Sequence, residues 1–99
     1  MIKHIVLFRF RDDVGATTAN AAAQKFREGI MSLPAIIPQI HKIEVGTNIN
    51  PEESWHICLY SEFSSLEDVK LYSNHPAHVK VASELKKLLA ERSCVDYEI

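Results

Sequence analysis

The sequence predicts an α+β domain of ferredoxin-like βαββαβ type, a four-stranded antiparallel sheet with both helices on one face. Three observations carry this. Strand-like and helix-like periodicities alternate in that order along the chain, turn residues separate them, and the opening strand is apolar on both of its faces. The chain has 99 residues, a length that suits one domain, read here as residues 1–99, able to bury about two-thirds of its unfolded surface.

From Ile2 to Phe10 the residues are rich in β-branched and aromatic types. Ile2, His4, Val6, Phe8 and Phe10 share one face; Lys3, Ile5, Leu7 and Arg9 share the other. Asp12, Asp13 and Gly15 break this strand. Thr17 or Thr18 is suited to cap a helix whose apolar stripe is Ala19, Ala22, Ala23, Phe26, Ile30 and Leu33. Pro34 and Pro38 bracket its exit.

Ile40 to Val45 reads as the second strand, and Gly46, Asn48, Asn50 and Pro51 open a loop that runs through Ser54. Trp55 to Phe63 reads as the third strand. Ser64 or Ser65, followed by the acidic Glu67 and Asp68, marks the start of a short helix through Tyr72. Asn74 and Pro76 interrupt it, because proline restricts the residue before it and suits the first position of a new helix. The new segment runs to about Arg92, with His78, Ala82, Leu85 and Leu89 turned inward, and Cys94 to Ile99 supplies the last strand.

Helices on one face leave the other sheet face bare. With Ile5 and Leu7 on it, the exposed apolar patch exceeds what a monomer ordinarily tolerates, which predicts a homodimer formed by pairing two sheets face to face. Lys and Arg number 11 against 13 Asp and Glu, for a formal charge of −2 with no run of like charge. That balance disfavours nucleic-acid binding. No stretch approaches transmembrane length, and the start lacks the apolar core and cleavage site of a signal peptide, so no membrane association is expected.

Cys58 and Cys94 fit no zinc or CxxC spacing and read as reduced thiols packed as small hydrophobes, in keeping with a cytoplasmic protein. In the expected strand order they lie on non-adjacent strands. That argues against a bond between them.

Chemistry concentrates at the helix break, Tyr72-Ser73-Asn74-His75-Pro76-Ala77-His78. His78 falls on the inward stripe of its helix and in its first turn, where the positive end of the helix dipole favours a neutral ring. A neutral imidazole in an apolar cleft is a candidate general base, with the Tyr72 phenol to orient it or to donate a hydrogen bond. His4, on one face of the first strand, is placed to line the same cavity. The bland alternative is a buried histidine satisfied by structural hydrogen bonds. His75 is suited to capping the helix start and is also a candidate ligand-binding residue; with His78 it forms a pair three residues apart, but a third metal ligand is not apparent. His41, His56 and Trp55 read first as sheet packing. No phosphate loop, nucleophilic triad or nucleotide fingerprint is present, so no cofactor is expected.

Taken together, Ile2 to Phe10, Gly46-Thr47-Asn48, Tyr72, His75-Pro76-Ala77-His78 and Val95-Asp96-Tyr97 resemble the stress-responsive dimeric α/β-barrel (Dabb) domains over nearly the whole chain. The resemblance implies a homodimer in which two sheets close a barrel, with a cavity between helices and sheet in each subunit; the reading drawn from it is that a small apolar or aromatic compound binds there, against a purely structural or partner-binding dimer without a ligand cavity. Most members have no established activity. One is a plant polyketide cyclase performing a cofactor-free aldol condensation. By resemblance to it, Tyr72 and His78 are the catalytic pair and His4 and His56 are pocket residues. Ile30 stands where that enzyme places a pocket tyrosine beside a glycine, here Gly29, so its substrate does not carry over with the fold.

Overall fold

The computed structural model describes residues 1–99. Its elements are β1 (Ile2–Phe10), α1 (Ala16–Met31), a 3-10 turn (Leu33–Ala35), β2 (Lys42–Thr47), β3 (Ile57–Phe63), α2 (Leu66–Asn74), α3 (Pro76–Lys86) and β4 (Leu89–Glu98). The strands form one antiparallel sheet in the order β2-β3-β1-β4. The ferredoxin-like expectation therefore holds, with β1 in the middle.

Strict alternation along β1 decides what each sheet face does. Ile2, His4, Val6, Phe8 and Phe10 are all buried, and their neighbours between them are only partly so. The buried set lies against Phe63, Ser61, Leu59 and Ile57 of β3, and these meet the inward faces of the helices at Phe26, Ile30, Val69, Tyr72 and Leu85 to form the core. Full burial of a leucine- or phenylalanine-sized side chain is worth about 1.5–3 kcal/mol. This single layer between helices and sheet is the hydrophobic core of the domain. α1 packs on α3 at a close crossing: a Cβ added at Gly29 would stand 2.9 Å from both Val81 methyl carbons.

Four boundaries differ from the sequence expectation. The first helix starts at Gly15, which caps it with no side-chain hydrogen bond, so Thr17 and Thr18 lie within its first turns. β2 runs two residues later than the Ile40–Val45 segment. Trp55 precedes β3 instead of opening it, lying beside Leu7 and Cys58 on the open sheet face. The largest difference is at α3, which ends at Lys86, so that Leu89 to Arg92 belong to β4. The Leu85, Leu88, Leu89 spacing fits a helix stripe, but the backbone there is captured by β1: Arg11 N–H donates to Leu88 O at 3.0 Å and Phe10 pairs with Leu89 across a register shift. Tertiary pairing has overridden local periodicity.

One consequence bears on the site. The helices cover only the start of β4, and Arg92, Cys94 and Asp96 are exposed although they point to the helix side. Cys94 is thus not packed as a small hydrophobe. Cys58 faces the opposite side of the sheet, beside Leu7, and both thiols are free.

Candidate functional site

Ser65 starts α2, its hydroxyl accepting from Asp68 N–H at 3.1 Å. The helix ends at Asn74, and His75 in extended conformation joins it to α3, with Pro76 in the first helical turn. His75 caps that turn: its Nδ1 accepts from Ala77 N–H at 3.1 Å. This cap folds Tyr72 and His78 onto each other, their ring centroids 4.4 Å apart. Tyr72 also packs on Phe63 at 5.1 Å and on His4 at 6.1 Å. His4, Tyr72 and His78 are therefore brought together from β1, α2 and α3.

Nδ1 of His78 lies 3.0 Å from the Ser73 carbonyl oxygen. A carbonyl only accepts, so Nδ1 carries the proton and Nε2 is left as the acceptor of the neutral ring. Burial holds the His78 pKa below its ordinary value against the opposing pull of the Ser73 carbonyl, and the nearby charges of His4, Arg92 and His75 add to the lowering. The ring is neutral at pH 7. That is the state a proton acceptor needs.

His4 and His78 line one cavity of about 390 Å³ with apolar walls from Val6, Phe8, Phe26, Leu59, Ala82 and Leu89. Lys86, Glu91 and Arg92 supply its charged lining. Tyr72 is fully buried and is not part of the lining; burial pushes its phenol pKa far up, so the hydroxyl stays protonated. That hydroxyl has no hydrogen-bond partner in the protein.

His56 lies elsewhere. Its N–H donates to Phe8 O, and its Nδ1 accepts from Phe10 N–H at 3.0 Å. This is the far end of β1 from His4, about 20 Å along the strand. There it lines a separate, more polar hollow of about 820 Å³ with Arg11, Arg27 and Asn48, sharing no lining residue with the first. His41 bonds the Ser64 hydroxyl at 2.6 Å at the surface.

The sequence reading missed the partners of His4. Across the β1–β4 ladder His4 pairs with Asp96 and Val6 with Cys94. His4 Nδ1 lies 2.5 Å from Asp96 Oδ1 and 3.6 Å from Cys94 Sγ. Alternation in Arg92-Ser93-Cys94-Val95-Asp96 places Cys94 and Asp96 on one face, but the sequence pattern starts the strand only at Cys94, and its register against β1 is not written in either segment.

The family model for the stress-responsive A/B barrel domain matches residues 2–99, and the chain belongs to that family. It is 25% identical over 99 residues to olivetolic acid cyclase of Cannabis sativa, covering 97% of this chain and 94% of that protein. It is 28% identical to the stress-response A/B barrel domain-containing protein DABB1 of Arabidopsis thaliana, of whose length it spans 46%. Among solved structures, a dimeric protein of unknown function and ferredoxin-like fold from Bacteroides fragilis superposes with a TM-score of 0.97 at 51% identity, over 99% of this chain and 95% of that one.

Proposed function

We propose that this member of the stress-responsive A/B barrel family binds a small, mostly apolar compound, aromatic compounds included, in the cavity between helices and sheet, and does so as a homodimer joined through the opposite sheet face. The observation that carries the binding reading is the approximately 390 Å³ hollow in which two imidazoles and a few charged groups interrupt an otherwise apolar wall. Ligand sites have that make-up: apolar area supplies affinity, and sparse polar groups fix orientation. The dimeric description of the 51% identical Bacteroides structure supports the assembly.

A thermal-shift screen of apolar and aromatic carbonyl compounds tests this. A ligand held at a hundred times its dissociation constant stabilises the folded form by about 2.7 kcal/mol. At least one compound is expected to raise the melting temperature of the wild type and to lose that effect in His78→Ala. A screen without hits, or a hit that shifts both proteins equally, overturns the reading.

A second reading is favoured by one observation, the hydrogen bond that fixes Nδ1–H of His78 on Ser73 and frees Nε2 as an acceptor. In it the protein is a cofactor-independent enzyme. His78 takes a proton from carbon next to a carbonyl, His4 helps hold the oxygen that gains charge, and Tyr72 supports the His78 ring from behind. The similarity to olivetolic acid cyclase supports an enzymatic reading. A carbonyl compound found in the screen, incubated with the protein in deuterated water, is then expected to exchange its acidic C–H for deuterium by NMR, at a rate that falls to background in His78→Ala. Exchange at the uncatalysed rate with wild type leaves binding without chemistry.

A further inference from the structure

We propose that His4, Cys94 and Asp96 form a divalent transition-metal site, suited to Zn²⁺, on the uncovered β4 side of the sheet. The site shares His4 with the cavity above, while its other two ligands, Cys94 and Asp96, stand outside that lining.

The backbone makes the constellation. Cys94 and Asp96 are two apart on one strand and so face the same way, and the ladder sets His4 directly across from Asp96. One nitrogen, one sulfur and one carboxylate oxygen then lie within 4.8 Å of one another. In a tetrahedral zinc centre, bond lengths of about 2.05 Å to nitrogen and 2.3 Å to sulfur put those two ligands about 3.6 Å apart. Nδ1 of His4 and Sγ of Cys94 already stand at 3.6 Å. The carboxylate is closer than a shared metal would leave it, 2.5 Å against about 3.4 Å, so Asp96 must draw back by about 0.9 Å. Its side chain is about 31% exposed on an edge strand, and drawing back exchanges its hydrogen bond to His4 for the metal bond.

The same geometry argues against a nucleophilic cysteine. In a Cys-His-Asp triad the thiol and the carboxylate address different ring nitrogens, so that one is activated while the other orients. Here both address Nδ1. What the three groups share is a cluster of donor atoms within 4.8 Å of one another, as ligands around one ion require. On binding, the thiol gives up its proton to solvent and the Sγ–metal bond replaces the S–H bond; His4 coordinates through its Nδ1 lone pair, with the ring proton on Nε2. Thiolate, imidazole and carboxylate together suit Zn²⁺ better than Mg²⁺ or Ca²⁺. Three protein ligands leave a fourth position toward solvent.

Cobalt is the probe, because Co²⁺ takes zinc sites and reports thiolate coordination as a sulfur-to-metal charge-transfer band. Titrating chelator-treated, reduced full-length protein with Co²⁺ is expected to yield one bound ion per chain with that band, and Zn²⁺ is expected to displace it. Cys94→Ser should abolish the band and weaken binding by at least about tenfold, Asp96→Asn should weaken it comparably, and Cys58→Ser, on the other sheet face, should leave it unchanged. Cys94 and Asp96 are exposed, so circular dichroism is expected to show both variants folded. No Co²⁺ or Zn²⁺ binding at micromolar concentration, a band that survives Cys94→Ser, or one that disappears in Cys58→Ser overturns the proposal.

Discussion

Ile5→Lys is expected to convert the protein from a particle of two chains to one of a single chain, measured by light scattering at micromolar concentration. Ile5 sits at the middle of the open sheet face, directly between Tyr60 of β3 and Val95 of β4, with Leu7 and Cys58 as the next pair along. Val95 and Tyr97 are exposed to 52% and 41% in the single chain, far more than side chains of their kind show in a core. Around them stand charged residues: Lys3 donates to the Tyr60 hydroxyl, which donates to Glu62, each at 2.6 Å, and Arg9 pairs with Glu91. An apolar centre inside a charged rim is the anatomy of a protein interface.

A lysine at Ile5 would meet its own symmetry copy or the partner's apolar centre without a counter-charge, and burying an unpaired ammonium costs several kcal/mol. It would still reach water in a separate chain. Folding should therefore survive while association does not, and circular dichroism can report the first. Arg9→Gln, on the rim, is expected to keep two chains together because exposed ion pairs contribute little. A single-chain mass for the wild type, or a two-chain mass for Ile5→Lys, would sink the face-to-face model.

The alternation in β1 made this face legible before any coordinates, and it made His4 legible too, because a period of two is unambiguous over nine residues. The β4 boundary was not. Leu85, Leu88 and Leu89 satisfy helical spacing as well as they satisfy a helix followed by a strand, and the deciding bonds come from Arg11 and Phe10, far away in sequence. The same distance hid Cys94 and Asp96 from His4. Tyr72 and His78 were readable as a pair because one cap, His75, joins their helices locally. What sequence could not convey was their rank relative to the cavity: His78 lines it, and Tyr72 lies buried behind. Family resemblance groups His56 with His4, yet Phe10 holds it at the other end of β1.

Tyr72→Phe is expected to stabilise the ligand-free protein. The phenol oxygen is fully buried and no protein group accepts or donates to it. Leaving such a group unsatisfied costs about 1–3 kcal/mol, whereas the ring contacts to His78, Phe63 and His4 need only the phenyl body. Each kcal/mol recovered should raise the melting temperature of a domain this size by about 4–8 °C. Burial also keeps the phenol protonated, so in the free protein the hydroxyl is a donor without an acceptor. If the His78 ring, shifted by a bound compound, provides that acceptor, the variant should gain stability while losing ligand-induced stabilisation or proton exchange. The two effects then have opposite sign, as expected where a site retains a costly group for its function. A lower melting temperature in Tyr72→Phe would mean that the hydroxyl is satisfied in solution and holds the site together structurally. A higher one with ligand response intact would remove Tyr72 from the binding machinery and leave His78 to act with His4 alone.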